Sequence, residues 1–143
     1  MKNILLIGCN GQMGKVVQEA ITNHPNVQLV AGFDRLAKND SPFPIYQDLA
    51  AIKESIDVVI DFSHHSMTKN TLSYCIEQKL PVVIATTGLS DEILQAIKDA
   101  AKKIPVFYSA NMSLGVNALI QALQKIAPIL EEDFQIEIIE KHH

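Results

Sequence analysis

The sequence predicts an α/β fold with a doubly wound parallel sheet. Three observations lead there. Short, nearly continuous apolar runs alternate with helical patterns from the start of the chain to about residue 108. The first run stops at Gly8, and Gly11 and Gly14 follow at three-residue spacing just as a helical pattern begins. Asp34, twenty residues beyond Gly14, ends the second apolar run. Strand, glycine turn, helix, strand and acid, in that order, form the layout of a dinucleotide site. Gly8 lets the chain turn sharply, Gly11 removes a side chain where the backbone approaches a pyrophosphate, and Gly14 lets the helix lie close to the strand. Free N–H groups at the helix start then face the phosphates. The spacing is G-x-x-G-x-x-G rather than the commoner G-x-G-x-x-G, so the flanking strand, helix and acid carry as much weight as the glycines.

Strands are expected at residues 3–7, 27–33, 57–62, 81–85 and 105–108. Each is short and apolar throughout, as befits parallel strands covered on both faces. The first helix carries Met13, Val16, Val17, Ala20 and Ile21 at the spacing of one buried face. It stops near His24-Pro25, where the proline disfavours continuation. A weaker helix is expected at 48–54 and another at 66–79. A fourth follows Ser90, a good N-cap with Asp91 and Glu92 in the first turn, and buries Ile93, Ile97, Ala100, Ala101 and Ile104. Residues 36–46, with two prolines and no periodicity, read as a surface loop, either flanking the adenosine half of a ligand or without a role.

The pattern changes near Asn111. A long helix places Leu119, Ile120, Leu123, Ile126, Ala127 and Leu130 on its apolar side. Residues 134–138 then alternate apolar and polar, the mark of a strand with one solvated face in an antiparallel or mixed sheet. The expected division is therefore 1–111 for a dinucleotide-binding domain and 112–143 for the beginning of a second, incomplete one. The chain stops at Lys141-His142-His143, read either as the stub of a purification tag or as a break within a functional loop.

At 143 residues, 48% apolar and 20% charged, the chain has the length of about one ordinary soluble domain. The formal charge of −4 is scattered, and no basic run suggests nucleic acid or a membrane surface. No apolar run approaches the roughly 18 residues needed to span a bilayer. Cys9 and Cys75 show no metal spacing, and a reduced, cytoplasmic setting is the default. Cys75 reads as a core residue, and Cys9 as a loop residue whose backbone matters more than its sulfur.

Other stretches fall at strand ends, where open parallel sheets bind ligands. Ala85-Thr86-Thr87-Gly88 either contacts the nicotinamide side of a cofactor or substrate, or forms a plain Thr-Gly turn. Asn111 and Ser113 either cap the long helix or bind a cofactor amide. Phe62 belongs to the core or packs near the cofactor. His64-His65 is not expected to bind metal, because adjacent side chains diverge in extended chain and no third ligand is near.

Taken together, residues 8–14, Asp61-Phe62-Ser63, Ala85-Thr86-Thr87-Gly88, the 111–117 stretch Asn-Met-Ser-Leu-Gly-Val-Asn and the 137–143 stretch Glu-Ile-Ile-Glu-Lys-His-His occur in the order of a known family. The chain resembles bacterial 4-hydroxy-tetrahydrodipicolinate reductases (dihydrodipicolinate reductases) of lysine and diaminopimelate biosynthesis, over its whole length. The resemblance implies a Rossmann-type domain followed by an α+β domain that binds substrate and builds a homotetramer. It implies reduction of a cyclic dicarboxylate with NADH or NADPH and release of water.

By motif, Gly8, Cys9, Asn10, Gly11, Gln12 and Met13 would hold the pyrophosphate. Asp34 would take the ribose hydroxyls and Arg35 a 2′-phosphate, leaving NADH and NADPH unranked. Ala85, Thr86, Thr87, Ser109, Ala110, Asn111 and Met112 would line the nicotinamide. His142 would be the catalytic acid/base, since a group titrating near neutrality can protonate the carbanion or enamine left by hydride addition. His143 and Thr87 would bind substrate.

Two departures stand out. The family usually has glycine where Ala85 stands. It also continues past His-His to a lysine, an Asp-Ala-Pro-Ser-Gly-Thr segment and a C-terminal helix that these 143 residues do not contain, so the stretch by itself is expected to bind cofactor without turnover. Rival readings are another dinucleotide-dependent dehydrogenase of the aspartate or homoserine type, which the 140–143 ending disfavours, and a non-catalytic NAD(P)H sensor.

Overall fold

The computed structural model describes residues 1–36 and 41–139. The chain divides into two compact units, the second starting at Asn111. In the first unit the apolar runs become β1 (Lys2–Ile7), β2 (Val27–Phe33), β4 (Val58–Asp61), β5 (Val82–Ile84) and β6 (Val106–Tyr108). A two-residue strand, β3 (Ile45–Tyr46), joins them. All pairs are parallel, and the six-stranded sheet runs in the order β3-β2-β1-β4-β5-β6. This is the Rossmann-type, doubly wound order. The strand order reverses between β1 and β4, so a ligand crevice opens at their C-terminal ends.

Central position explains the composition of β1. Ile4, Leu5, Leu6 and Ile7 are all buried, one pair on each face. Leu5, Ile7, Val59 and Ile84 join Leu72, Cys75, Ile97 and Ala100 from two of the covering helices in one cluster. These helices are α2 (His65–Gln78) and α3 (Asp91–Ala100). Ser90 caps α3 as expected, its hydroxyl accepting from the Ile93 N–H at 3.4 Å.

The register of β1 against β2 slips between Ile4 and Leu5, which pair with Leu29 and Ala31 and skip Val30. The extra residue carries Phe33 opposite Ile7, and the Gly8 N–H donates to the Phe33 carbonyl at 2.8 Å. Asp34 thereby lands beside the glycine turn.

Several expectations are corrected. Helix α1 (Gln12–Thr22) buries Gly14 and Ile21, while Met13 and Val16 are 51% and 57% exposed and Ala20 is also exposed. Its rotation is set by contact, not by the apolar stripe. A Cβ on Gly14 would lie 2.3 Å from the Gly8 carbonyl oxygen and 2.6 Å from that of Cys9. Only a glycine face fits there. In α3, Ala101 is the exposed C-cap instead of a buried residue.

The helix expected at 48–54 reduces to a 3₁₀ turn, Leu49–Ala51, capped by the Asp48 carboxylate. So short a segment does not repay helix nucleation. The loop expected at 36–46 ends in β3 at the sheet edge, where Pro42 and Pro44 are tolerated. Residues 37–40 lie outside the described residues.

In the second unit, α4 (Leu114–Leu130) forms as expected, with the Ser113 hydroxyl accepting from the Val116 N–H. The alternating stretch at 134–138 forms no strand. Alternation needs a partner to become a ladder, and the described residues of this unit contain no strand. Ile138 and Ile139 are correspondingly exposed, as are Leu119, Ile120 and Leu123 of α4.

Helix propensity and packing make opposite forecasts for Gly14→Ala. Propensity favours alanine by about 1 kcal/mol. The clash is with backbone carbonyls that cannot rotate away, and overpacking of this kind costs about 1–3 kcal/mol or more. Net destabilisation is expected in urea unfolding. A raised midpoint would show that α1 rides freely on the turn.

Candidate functional site

The end of β1, the start of α1 and the ends of β2 and β4 enclose a cleft of about 450 Å³. Gly8, Gly11, Asp34, Arg35, Phe62 and His64 are among its walls. Gly8 takes φ +78°, and a Cβ there would sit 2.8 Å from the Phe62 carbonyl oxygen. Any side-chain-bearing residue is therefore excluded at this turn. A Cβ on Gly11 would meet only the Gly8 carbonyl oxygen, at 3.3 Å, so its other side is open. Gly11 is also the N-cap of α1 and offers no side-chain acceptor to the first-turn N–H groups. An open backbone cradle with N–H donors left over is the donor set a pyrophosphate requires.

Asp34 anchors this loop. Its Oδ2 accepts the Asn10 N–H at 2.9 Å, and the Asn10 side-chain amide donates to the Leu36 carbonyl at 2.6 Å. A carboxylate oxygen carries further lone pairs, so Asp34 keeps acceptor capacity for a ribose hydroxyl. Arg35 lies on the same wall. Its guanidinium donates to Ser66 Oγ at 2.7 Å, and Gln47 donates to its carbonyl.

Among the expected pyrophosphate residues, Gly8, Asn10 and Gly11 line the cleft and Cys9 does not. The Cys9 side chain is fully buried, and its carbonyl accepts from Gln18 Nε2 at 2.6 Å. Cys9 holds α1 to the turn. Gln12 and Met13 are exposed in the first turn of α1.

Phe62 is half-buried and forms part of the wall, as do Phe33, Leu36, Ser63, His64 and Met67. Most of this second group carried no signal in the sequence, since only folding brings the start of α2 to the end of β2. His142 and His143 lie outside the described residues.

A larger hollow, about 850 Å³, lies between α2 and the 47–56 segment and shares Phe33 and Met67 with the cleft. Asp48, Glu54 and Glu77 line it. Three acids repel a pyrophosphate, so its greater volume does not make it the dinucleotide site. Among the described residues, no cluster of His, Cys, Asp and Glu is assembled to hold a metal, and no helix is long and apolar enough to cross a membrane.

The β4 and β5 ends are joined by Asp61. Its side chain is fully buried. Oδ1 accepts the Ser63 N–H at 2.8 Å and the Thr86 hydroxyl at 3.4 Å, and its carbonyl accepts the Ala85 N–H. Thr86 is thus turned inward, with its hydroxyl committed to Asp61, while Thr87 is exposed and Gly88 closes a turn at φ +69°. Beyond β6, the Ser109 N–H donates to the Ile84 carbonyl and Ala110 is exposed. In the second unit, Asn111 Oδ1 accepts the Ser113 N–H, and Met112 is exposed.

Burial raises the Asp61 carboxyl above the ordinary value of 3.8, and the hydrogen bonds from Ser63 and the Thr86 hydroxyl, with the nearby Thr71 hydroxyl, only partly offset it. Asp61 Oδ2, Thr68 Oγ1 and Thr71 Oγ1 are all buried without a direct partner. Burial, then the neighbouring Asp61 charge, pushes the Cys75 thiol to about 12, which removes it as a nucleophile near neutrality.

The raised Asp61 carboxyl has a consequence with a definite sign. Between 3.8 and the higher folded value the native state binds more protons than the unfolded state, so Asp61's contribution falls as pH rises. Asp57 and Asp99, both lowered, contribute in the opposite sense and lose stability as pH falls. Comparing Asp61→Asn with the parent isolates the first effect. The parent is expected to lose stability relative to the variant as pH rises from about 4 to 7. Parallel urea-unfolding curves across that range would show that Asp61 is not held as described.

The comparisons with known proteins bear on the family and the fold. The family model for "Dihydrodipicolinate reductase, N-terminus" matches residues 2–112. A 4-hydroxy-tetrahydrodipicolinate reductase of Caldanaerobacter subterraneus is 50% identical over the whole chain, which covers 56% of that relative. One from Clostridium tetani is 43% identical, again over the whole chain and 56% of the relative. The chain thus spans about half the length of the curated relatives it matches.

Among solved structures, dipicolinate-bound dihydrodipicolinate reductase from Paenisporosarcina sp. TG-14 superposes with a TM-score of 0.71 at 22% identity, over 94% of this chain and 55% of that one. A myo-inositol 2-dehydrogenase from Lactobacillus plantarum does so at 0.65 and 16%, over 91% of this chain and 42% of that one. Such distant likenesses speak for the fold alone. On the strength of the family match over residues 2–112, the chain belongs to the dihydrodipicolinate reductase family, whose N-terminal part it represents.

Proposed function

We propose that the protein to which this chain belongs reduces 4-hydroxy-tetrahydrodipicolinate to tetrahydrodipicolinate with NADH or NADPH, releasing water, in lysine and diaminopimelate biosynthesis. The observation that carries this reading is the extent of the likeness. The glycine cleft suits any dinucleotide enzyme, whereas identity to reductases of this name runs through all of the chain, beyond the family match at residue 112.

In this proposal Gly8, Asn10, Gly11 and the first turn of α1 bind the pyrophosphate. Asp34 binds the adenosine ribose and Arg35 a 2′-phosphate. The reduced nicotinamide supplies the hydride when bound. Thr87, with the backbones of Ala85 and Thr86, borders the nicotinamide and substrate, as do Ser109, Ala110, Asn111 and Met112. Asp61 fixes the loops after β4 and β5 and so orients that border. His142 holds the proton delivered to the product, and His143 helps to bind the substrate carboxylates.

The exposed stripe of Leu119, Ile120, Leu123 and Ile126 on α4 supports assignment of residues 112–143 to a substrate and oligomerisation domain, tetrameric in the whole protein. The proposal places the protein in the cytoplasm, a reducing setting that suits the two buried cysteines, Cys9 and Cys75.

Saturable binding of NADH and NADPH is expected when the chain is titrated and followed by nicotinamide fluorescence. Failure to bind either would remove the basis of the reading. Arg35→Ala should weaken NADPH by about 1.5–3 kcal/mol more than NADH, the loss of one charge-assisted hydrogen bond. Equal losses would mean that Arg35 does not meet the 2′-phosphate.

A further inference from the structure

Ser66, in the first turn of α2, makes a set of contacts that the dinucleotide pattern does not require. The Arg35 guanidinium donates to Ser66 Oγ at 2.7 Å. Ser66 Oγ lies 3.0 Å from His64 Nδ1, and the Ser66 backbone N–H donates to the same nitrogen at 3.3 Å. A ring nitrogen that accepts from a backbone N–H carries no proton of its own. The Ser66 hydroxyl must therefore donate to His64 and accept from Arg35. His64 is itself fixed as the N-cap of α2, with its ring 3.8 Å from that of His65. The direction of the chain Arg35 to Ser66 to His64 is thus determined.

The consequence falls on Arg35. Ser66 takes one of the guanidinium's five N–H donors and leaves the rest of the fork for an anion. At the other end, Gln47 holds the Arg35 carbonyl. A long, rotamer-rich side chain is held at backbone and tip before any ligand arrives. Much of the conformational freedom that Arg35 would lose on gripping a phosphate is already gone.

We propose that Ser66 is a positioning residue for cofactor discrimination, holding Arg35, through the hydroxyl that His64 orients, at the place where a 2′-phosphate is recognised. This rests on the assignment of Arg35 to the 2′-phosphate. NADPH and NADH differ only in that group, so their ratio of dissociation constants is the readout. Ser66→Ala is expected to weaken NADPH roughly three- to tenfold, the range of one exposed hydrogen bond. NADH should change by no more than about twofold. Ser66→Thr keeps the hydroxyl and should restore most of the ratio. In an Arg35→Ala background, Ser66→Ala should have no further effect on the ratio, because the residue acts through Arg35.

An unchanged or increased NADPH preference in Ser66→Ala would overturn the proposal. So would an equal effect of Ser66→Ala with and without Arg35. Selective loss of NADPH in Arg35→Ala, with no change in Ser66→Ala, would leave the reductase reading standing and remove this inference alone. Equal losses of both cofactors in Arg35→Ala would remove this inference together with the Arg35 assignment, and no binding of either would remove the reductase reading as well.

Discussion

The contact between Gly14 and the carbonyls of Gly8 and Cys9 is the constraint on which the rest of the site depends. At 2.3 and 2.6 Å from a hypothetical Cβ, those oxygens leave room for a hydrogen and nothing more. The approach sets the rotation of α1 about its axis. It turns Ile21 to the sheet and leaves Met13 and Val16 outside. The N-terminus of α1 is also brought down onto the end of β1. Gln18 reinforces the arrangement from the side by donating to the Cys9 carbonyl. Two apolar residues are left in solvent as a result, a modest cost beside the loss of the anion cradle.

A second constraint operates across the crevice. Burial disfavours the charged form of the Asp61 carboxyl more than its hydrogen bonds favour it. Its value lies in geometry. One side chain ties the backbone after β4 to the hydroxyl after β5, and its own carbonyl tethers Ala85. An apolar residue there would keep the backbone bond to Ala85 and leave the Ser63 N–H and the Thr86 hydroxyl without this acceptor.

The parts of this structure legible from sequence are those determined within a few residues. The apolar runs became strands because parallel strands are covered on both faces, and Ser90 capped α3 because capping is local. The glycine spacing announced the turn for the same reason. The misread parts depend on distant partners. Ile45 and Tyr46 form a strand only because Gly32 and Phe33 lie alongside. The alternation at 134–138 had no partner and formed none. Thr86 looked like a ligand for the crevice, but Asp61, twenty-five residues earlier, draws its hydroxyl inward. Nothing nearby in sequence shows that Arg35 and Ser66 meet beside His64.

Asp34 and Arg35 set opposite charges side by side on one wall of the cleft. A carboxylate beside a 2′-phosphate is repelled, and an acid at this position ordinarily marks a preference for the unphosphorylated ribose. Here the Asp34 charge is partly engaged. Oδ2 accepts the Asn10 N–H at 2.9 Å, and Oδ1 lies 3.5 Å from the Leu36 nitrogen. Charge spread into backbone donors projects less field into the cleft than a free carboxylate. Arg35 is held on the other side by Ser66, with most of its donors unspent. A hydroxyl can bind the remaining lone pairs of Asp34, and a phosphate can bind the guanidinium without displacing the acid. The acid therefore serves first as an anchor of the glycine loop, and the proposed binding of a 2′-phosphate by Arg35 does not require its displacement.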